Sequence, residues 1–128
     1  MILNNKIKIF LAVASFMMAL AISLGAFGAH GLKSILDEYM LKIYHTGVEY
    51  HFYNTFGLFI ATFLYALKPN SKRIYIAIWF IIIGMCIFSF SLYFLAVLSM
   101  PILGAITPIG GSLLIIAWII ITYEILRP

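Results

Sequence analysis

The chain has 128 residues, of which 65% are apolar and 9% charged, with a mean hydropathy of +1.13. Soluble domains carry roughly a quarter charged residues, so this composition excludes a water-soluble globular domain, whose surface it could not cover. The net charge of +4 comes from Lys and Arg outside the apolar runs, a pattern of membrane topology that does not resemble an aromatic-interleaved nucleic-acid surface.

The first apolar run, Ile7 to Ala29, has Lys6 and Lys8 at its start. It exceeds the 7–15 apolar residues of a signal peptide and is read as an uncleaved span. His30 to Thr46 is too short and too charged to cross. Ser34 and Asp37 resemble a capping box, and Ile35, Leu36, Tyr39, Met40 and Ile43 share one helical face. An external interfacial helix is predicted over about 34–45. The second span is predicted over about 47–67 and ends at Lys68-Pro69-Asn70-Ser71, a turn signal. The third covers about 74–98, with Cys86 inside it as a small apolar residue. The fourth covers about 104–126. Thr107-Pro108 reads as an N-cap followed by proline at the first helical position. A helix start near Pro108 is therefore preferred to one at Ile102. The fold class is all-α: a single integral membrane four-helix bundle over residues 1–128, with a short interfacial helix.

With the N-terminus inside, Lys6, Lys8, Lys68, Lys72, Arg73 and Arg127 face the cytoplasm, and Lys33 and Lys42 lie outside. Six against two places both termini inside: in the cytoplasm of a bacterial inner membrane, or in the matrix for a mitochondrial one.

Ionisable and polar groups inside spans are functional candidates. Tyr50 and Asn54 fall on one stripe of the second span, and His51 on an adjacent one. Both stripes are expected to face the bundle interior, with Tyr50 and Asn54 bonding to Ser89, Tyr93 or Thr107. His30, Glu49, Tyr50, His51, Asn54, Ser89, Tyr93 and Thr107 form the candidate polar cluster near the outer leaflet. Helix-to-helix hydrogen bonding is the plainer role for it. Gly25, Gly28 and Ala29 at the end of the first span, and Gly110 and Gly111 in the fourth, are candidate close-packing positions. Glu124 and Arg127 are spaced to pair on one helix and receive no functional role. Only His51 among the histidines lies inside a span, which disfavours haem held between two histidines. No catalytic motif, metal-ligand spacing or cofactor loop occurs. Catalytic, cofactor-binding and metal residues are therefore all predicted as none.

Three segments carry a family resemblance: Leu24-Gly25-Ala26-Phe27-Gly28-Ala29-His30-Gly31-Leu32, Thr46-Gly47-Val48-Glu49-Tyr50-His51-Phe52-Tyr53-Asn54-Thr55, and Phe88-Ser89-Phe90-Ser91-Leu92-Tyr93 followed by Ile106-Thr107-Pro108-Ile109-Gly110-Gly111. In order and spacing they resemble the domain of unknown function 423 family, which includes the transmembrane protein 256-like proteins. Asn54 and Phe90 stand where that family commonly has histidine and glycine. The resemblance implies a four-span protein of a bacterial plasma or mitochondrial inner membrane and supplies no biochemical role. The expectation is a structural or accessory factor in membrane integrity or a membrane complex, and not an enzyme. Its partners would be membrane lipids and other membrane proteins or further copies of itself. The alternative is a lipid- or small-molecule-binding protein, or a minimal transporter, that uses the outer polar cluster.

Overall fold

The computed structural model describes residues 3–128; the first two residues lie outside it. Four α-helices follow in order: α1 (Asn5–His30), α2 (Glu38–Leu67), α3 (Lys72–Leu98) and α4 (Thr107–Leu126). A 3-10 helix, Pro101–Ala105, leads into α4, and there is no strand among the described residues. Three segments are long and apolar enough to cross a membrane: Asn5–His30, Lys72–Leu98 and Pro101–Leu126.

Side chains cap the first three starts. The Asn4 carboxamide oxygen accepts from the Ile7 amide, the Asp37 carboxylate from Met40, and the Ser71 hydroxyl oxygen from Ile74. Each satisfies one of the amides that a helix start leaves free.

The packing runs antiparallel along the chain. Phe10 in α1 meets Tyr65 in α2 and Tyr75 in α3, and Gly28 at the other end of α1 meets Tyr44. Tyr65 lies beside Tyr75, while Gly47 lies against Tyr93. α4 returns along α3, with Thr107 beside Ser91 and Glu124 beside Arg73. Trp118 of α4 also crosses Gly57 of α2.

The buried residues trace seams with alternating steps of three and four. In α1 these are Ile7, Phe10, Ala14, Met17 and Ala21; in α4 they are Gly110, Leu114, Ala117, Ile121 and Glu124. Such a period keeps one stripe of each helix facing its neighbours.

The separate interfacial helix expected over 34–45 is corrected. Residues 31–37 form turns, Asp37 rather than Ser34 is the cap, and α2 runs unbroken from Glu38 to Leu67. Its 30 residues span about 45 Å at 1.5 Å per residue. Glycine at position 47 lowers helix propensity by about 1 kcal/mol but leaves the room that the Tyr93 ring occupies. The amphipathic face also differs from expectation. Ile35 and Tyr39 are exposed, and the buried anchors of this end are Leu32, Tyr44 and Val48.

α4 begins one residue before Pro108. Thr107 does not cap it; its hydroxyl donates back to the Leu103 carbonyl and contacts Ser91. Ser99 ends α3 in the left-handed region, at φ 53° and ψ 45°. The chain reverses there and enters the 3-10 helix that leads into α4.

Candidate functional site

The helices bring polar side chains together at three levels. The deepest centres on His51, which is fully buried. Counted from the start of α2 it lies roughly 20 Å along the helix. Its Nδ1 is 2.8 Å from the hydroxyl of Tyr93. Its Nε2 is buried and has no hydrogen-bond partner. Tyr93 stacks obliquely on Tyr44, ring centroids 5.1 Å apart. The Tyr44 hydroxyl donates to the Leu24 carbonyl at 2.6 Å. One level across, the Ser89 hydroxyl donates to the Gly47 carbonyl at 2.8 Å. Three helices are thus tied through one aromatic and hydroxyl cluster.

The eight residues of the predicted cluster do not form one site. His51, Tyr93 and Ser89 come together. Asn54 is buried, but its amide donates to the Tyr50 carbonyl of its own helix. Tyr50 is 42% exposed and rests on Phe88. The expected bonds from Tyr50 and Asn54 to other spans are therefore corrected: the bond to another span comes from His51, on the adjacent stripe. Thr107 bonds Ser91 at 2.6 Å in a separate contact between α3 and α4. His30, His45 and Glu49 are exposed. Glu49 lines a shallow groove on the outer face of α2 with Glu38, Lys42 and His45, outside the bundle. No group of three or more His, Cys, Asp or Glu converges among the described residues.

The small residues divide in the same way. A Cβ on Gly28 would overlap the Tyr44 ring, and one on Gly25 would touch Val48 at 3.3 Å. Gly110 is pressed against backbone: a Cβ would lie 2.6 Å from the Phe88 nitrogen and 2.7 Å from the Gly84 oxygen. Gly111 has ordinary contacts with the Phe88 ring, and Ala29 is exposed. Gly25 therefore pairs with Gly28, not Ala29, in facing α2.

At the opposite end, Glu124 is 1% exposed. Its Oε1 accepts from the Ser71 hydroxyl at 2.8 Å. Its Oε2 accepts from Arg127 Nε at 2.7 Å and from Arg73 at 3.4 Å. Its backbone carbonyl accepts from Lys68 Nζ. The i,i+3 pair with Arg127 was legible from spacing; the convergence of Lys68, Ser71 and Arg73 was not, because it depends on how the α2–α3 turn folds onto α4. The carboxylate beside Arg127 raises the pKa of that guanidinium. Tyr44 and Ser91 were also missed. Tyr44 sits seven residues before His51, which extends the buried seam upstream of the span expected from Gly47.

The family described as "Protein of unknown function (DUF423)" matches residues 24–111. UPF0382 membrane protein YwdK of Bacillus subtilis (strain 168) is 44% identical over 89% of this chain and 93% of its own length. A UPF0382 membrane protein of Haemophilus influenzae is 38% identical over 94% of both chains. UPF0382 membrane protein SERP0230 of Staphylococcus epidermidis is 37% identical over 94% of this chain and 97% of its own length. No solved structure matches. The chain belongs to the DUF423 family, and it is an all-helical membrane protein.

Proposed function

We propose that the protein is a four-span bundle of the bacterial cytoplasmic membrane, with both termini in the cytoplasm, and that it serves as a structural or accessory component of the membrane or of a membrane complex, not as an enzyme. The observation that carries this reading is the use of its interior polar groups. His51 with Tyr93, Ser89 with the Gly47 carbonyl, Tyr44 with the Leu24 carbonyl, and Ser91 with Thr107 each link one helix to another. Hydrogen bonds of this kind, with close approach at small residues, hold membrane helices together where water-driven hydrophobic association is absent.

The reading of α2 as the fourth span rests on which way its side chains point. Its polar residues His51, Asn54, Thr55 and Thr62 are buried, while Phe56, Ile60, Phe63 and Leu67 face outward. That is the distribution a helix in lipid requires, since polar groups there must be satisfied inside the protein. The six-to-two distribution of Lys and Arg supports the orientation.

The unpaired Nε2 of His51 favours a second reading, in which a small polar molecule binds between α1 and α2. Purification in a mild detergent, with identification of everything that copurifies, separates the two. The accessory role leads us to expect a membrane-protein partner at defined stoichiometry. A stoichiometric small molecule without a protein partner would replace it with the second reading.

A further inference from the structure

We infer that the cleft between the Lys68–Ser71 turn, the start of α3 and the end of α4 binds the phosphate headgroup of an anionic phospholipid. The assignment rests on the four-span placement above, which sets this end at the cytoplasmic interface.

The cleft consists of two adjoining hollows that share Glu124, the one side-chain carboxylate, and Arg127: Lys68 lines one, and Lys72 and Arg73 line the other. That carboxylate is already occupied on both oxygens, by Ser71 on one and by Arg73 and Arg127 on the other. Glu124 therefore holds the cations in place from beneath. Arg127 engages it through Nε, which leaves the two terminal guanidinium nitrogens for another acceptor. Arg73 lies over the Tyr123 ring, 5.2 Å from its centroid, and its side chain is 49% exposed. Lys72 is exposed at the α3 start, where free backbone amides add to the positive potential. Guanidinium forks held in position are matched to phosphate oxygens.

The cleft is amphiphilic in the direction a lipid needs. Ile76 forms part of its wall, and Ile76 and Tyr123 are 47% and 57% exposed one turn deeper along α3 and α4. A headgroup among the cations would lay its acyl chains along this apolar wall. A free phosphate would use the cations alone.

The test is lipid affinity by native mass spectrometry of the full chain in mild detergent, with phosphatidylglycerol, phosphatidylcholine and inorganic phosphate as probes. The wild type should prefer phosphatidylglycerol to phosphatidylcholine. Lys72→Gln removes a cation with no structural partner and should weaken phosphatidylglycerol binding roughly fivefold; adding Arg73→Gln should weaken it on the order of thirtyfold. Lys33→Gln/Lys42→Gln at the opposite end should leave it unchanged. Equal binding of the two lipids, equal loss in the opposite-end variant, or competition by millimolar inorganic phosphate would each overturn the proposal. Detergent abolishes sidedness, so this result is independent of the topology, which cysteine labelling in intact membranes decides separately.

Discussion

The Tyr93 hydroxyl and His51 Nδ1 share one buried hydrogen bond of 2.8 Å between α3 and α2. The bond leaves the far side of the imidazole unmatched. If Nδ1 accepts, Nε2 carries a proton with no acceptor; if Nδ1 donates, Nε2 is a bare acceptor. The Tyr93 ring does more than carry the hydroxyl, since it fills the space over Gly47 and packs on Tyr44 and Phe90. Tyr93→Phe should therefore lower stability by only about 1 kcal/mol, the scale of interhelical hydrogen bonds in membranes. Tyr93→Ala should cost about 3 kcal/mol or more through the cavity it leaves. Unfolding of both variants in mixed micelles checks the ranking, and equal losses would show that the ring packing is unimportant.

Gly110 and Gly111 are adjacent in sequence and opposite in consequence. A methyl group on Gly110 would meet the backbone of Phe88 and Gly84 at 2.6 and 2.7 Å, atoms that cannot swing aside. Gly110→Ala should destabilise by about 1–3 kcal/mol through overpacking. Gly111→Ala meets only the Phe88 ring at 3.6 Å and should be neutral or stabilise by up to about 1 kcal/mol through helix propensity. Thermal unfolding of the two variants side by side is the measurement.

That difference was beyond the sequence, and the reason is general to this chain. The approximate lengths of α1, α3 and α4 were legible because apolar runs, the Lys68–Ser71 turn and Pro108 mark them. The inward face was not, because outward residues such as Phe16, Ile83 and Ile119 are as apolar as inward ones. Lipid removes the polar–apolar contrast that betrays a buried face in water. Only α2 kept a contrast, through His51, Asn54, Thr55 and Thr62, and there both polar stripes were expected to face inward, whereas Tyr50 is 42% exposed. The apparent break at Gly47 reflected close packing on Tyr93, so a continuous helix was divided into two.

Glu124 joins the α2–α3 turn to the end of α4 through Ser71, Arg73 and Arg127. Glu124→Gln keeps an acceptor for Ser71 and turns an amide toward two guanidinium groups. Because both arginines are about half exposed, the loss should be moderate, about 1–2 kcal/mol. It should also make trypsin cleavage after Lys72 and Arg73, at the start of α3, faster than in the wild type. An unchanged cleavage rate would mean that the carboxylate does not hold the turn.

Glu49 is exposed on the outer face of α2 beside His45 and Lys42, apart from the His51 cluster. Glu49→Gln should change stability by less than about 0.5 kcal/mol and leave the phenotype of a complemented deletion strain intact. A folded variant that behaves like the deletion would assign proton-linked function to this face.

The placement of α2 as a membrane span is the claim on which the rest depends. It puts Asp37 and Lys72 on opposite sides of the membrane, whereas a bundle with only α1, α3 and α4 crossing would put them on the same side. Single cysteines replacing Asp37 and Lys72, in a Cys86→Ala background, can be probed with a membrane-impermeant maleimide in intact cells and in inverted vesicles. We expect labelling at position 37 from outside the cell and at position 72 only from the cytoplasmic side. Labelling of both positions from the same side would contradict the four-span bundle.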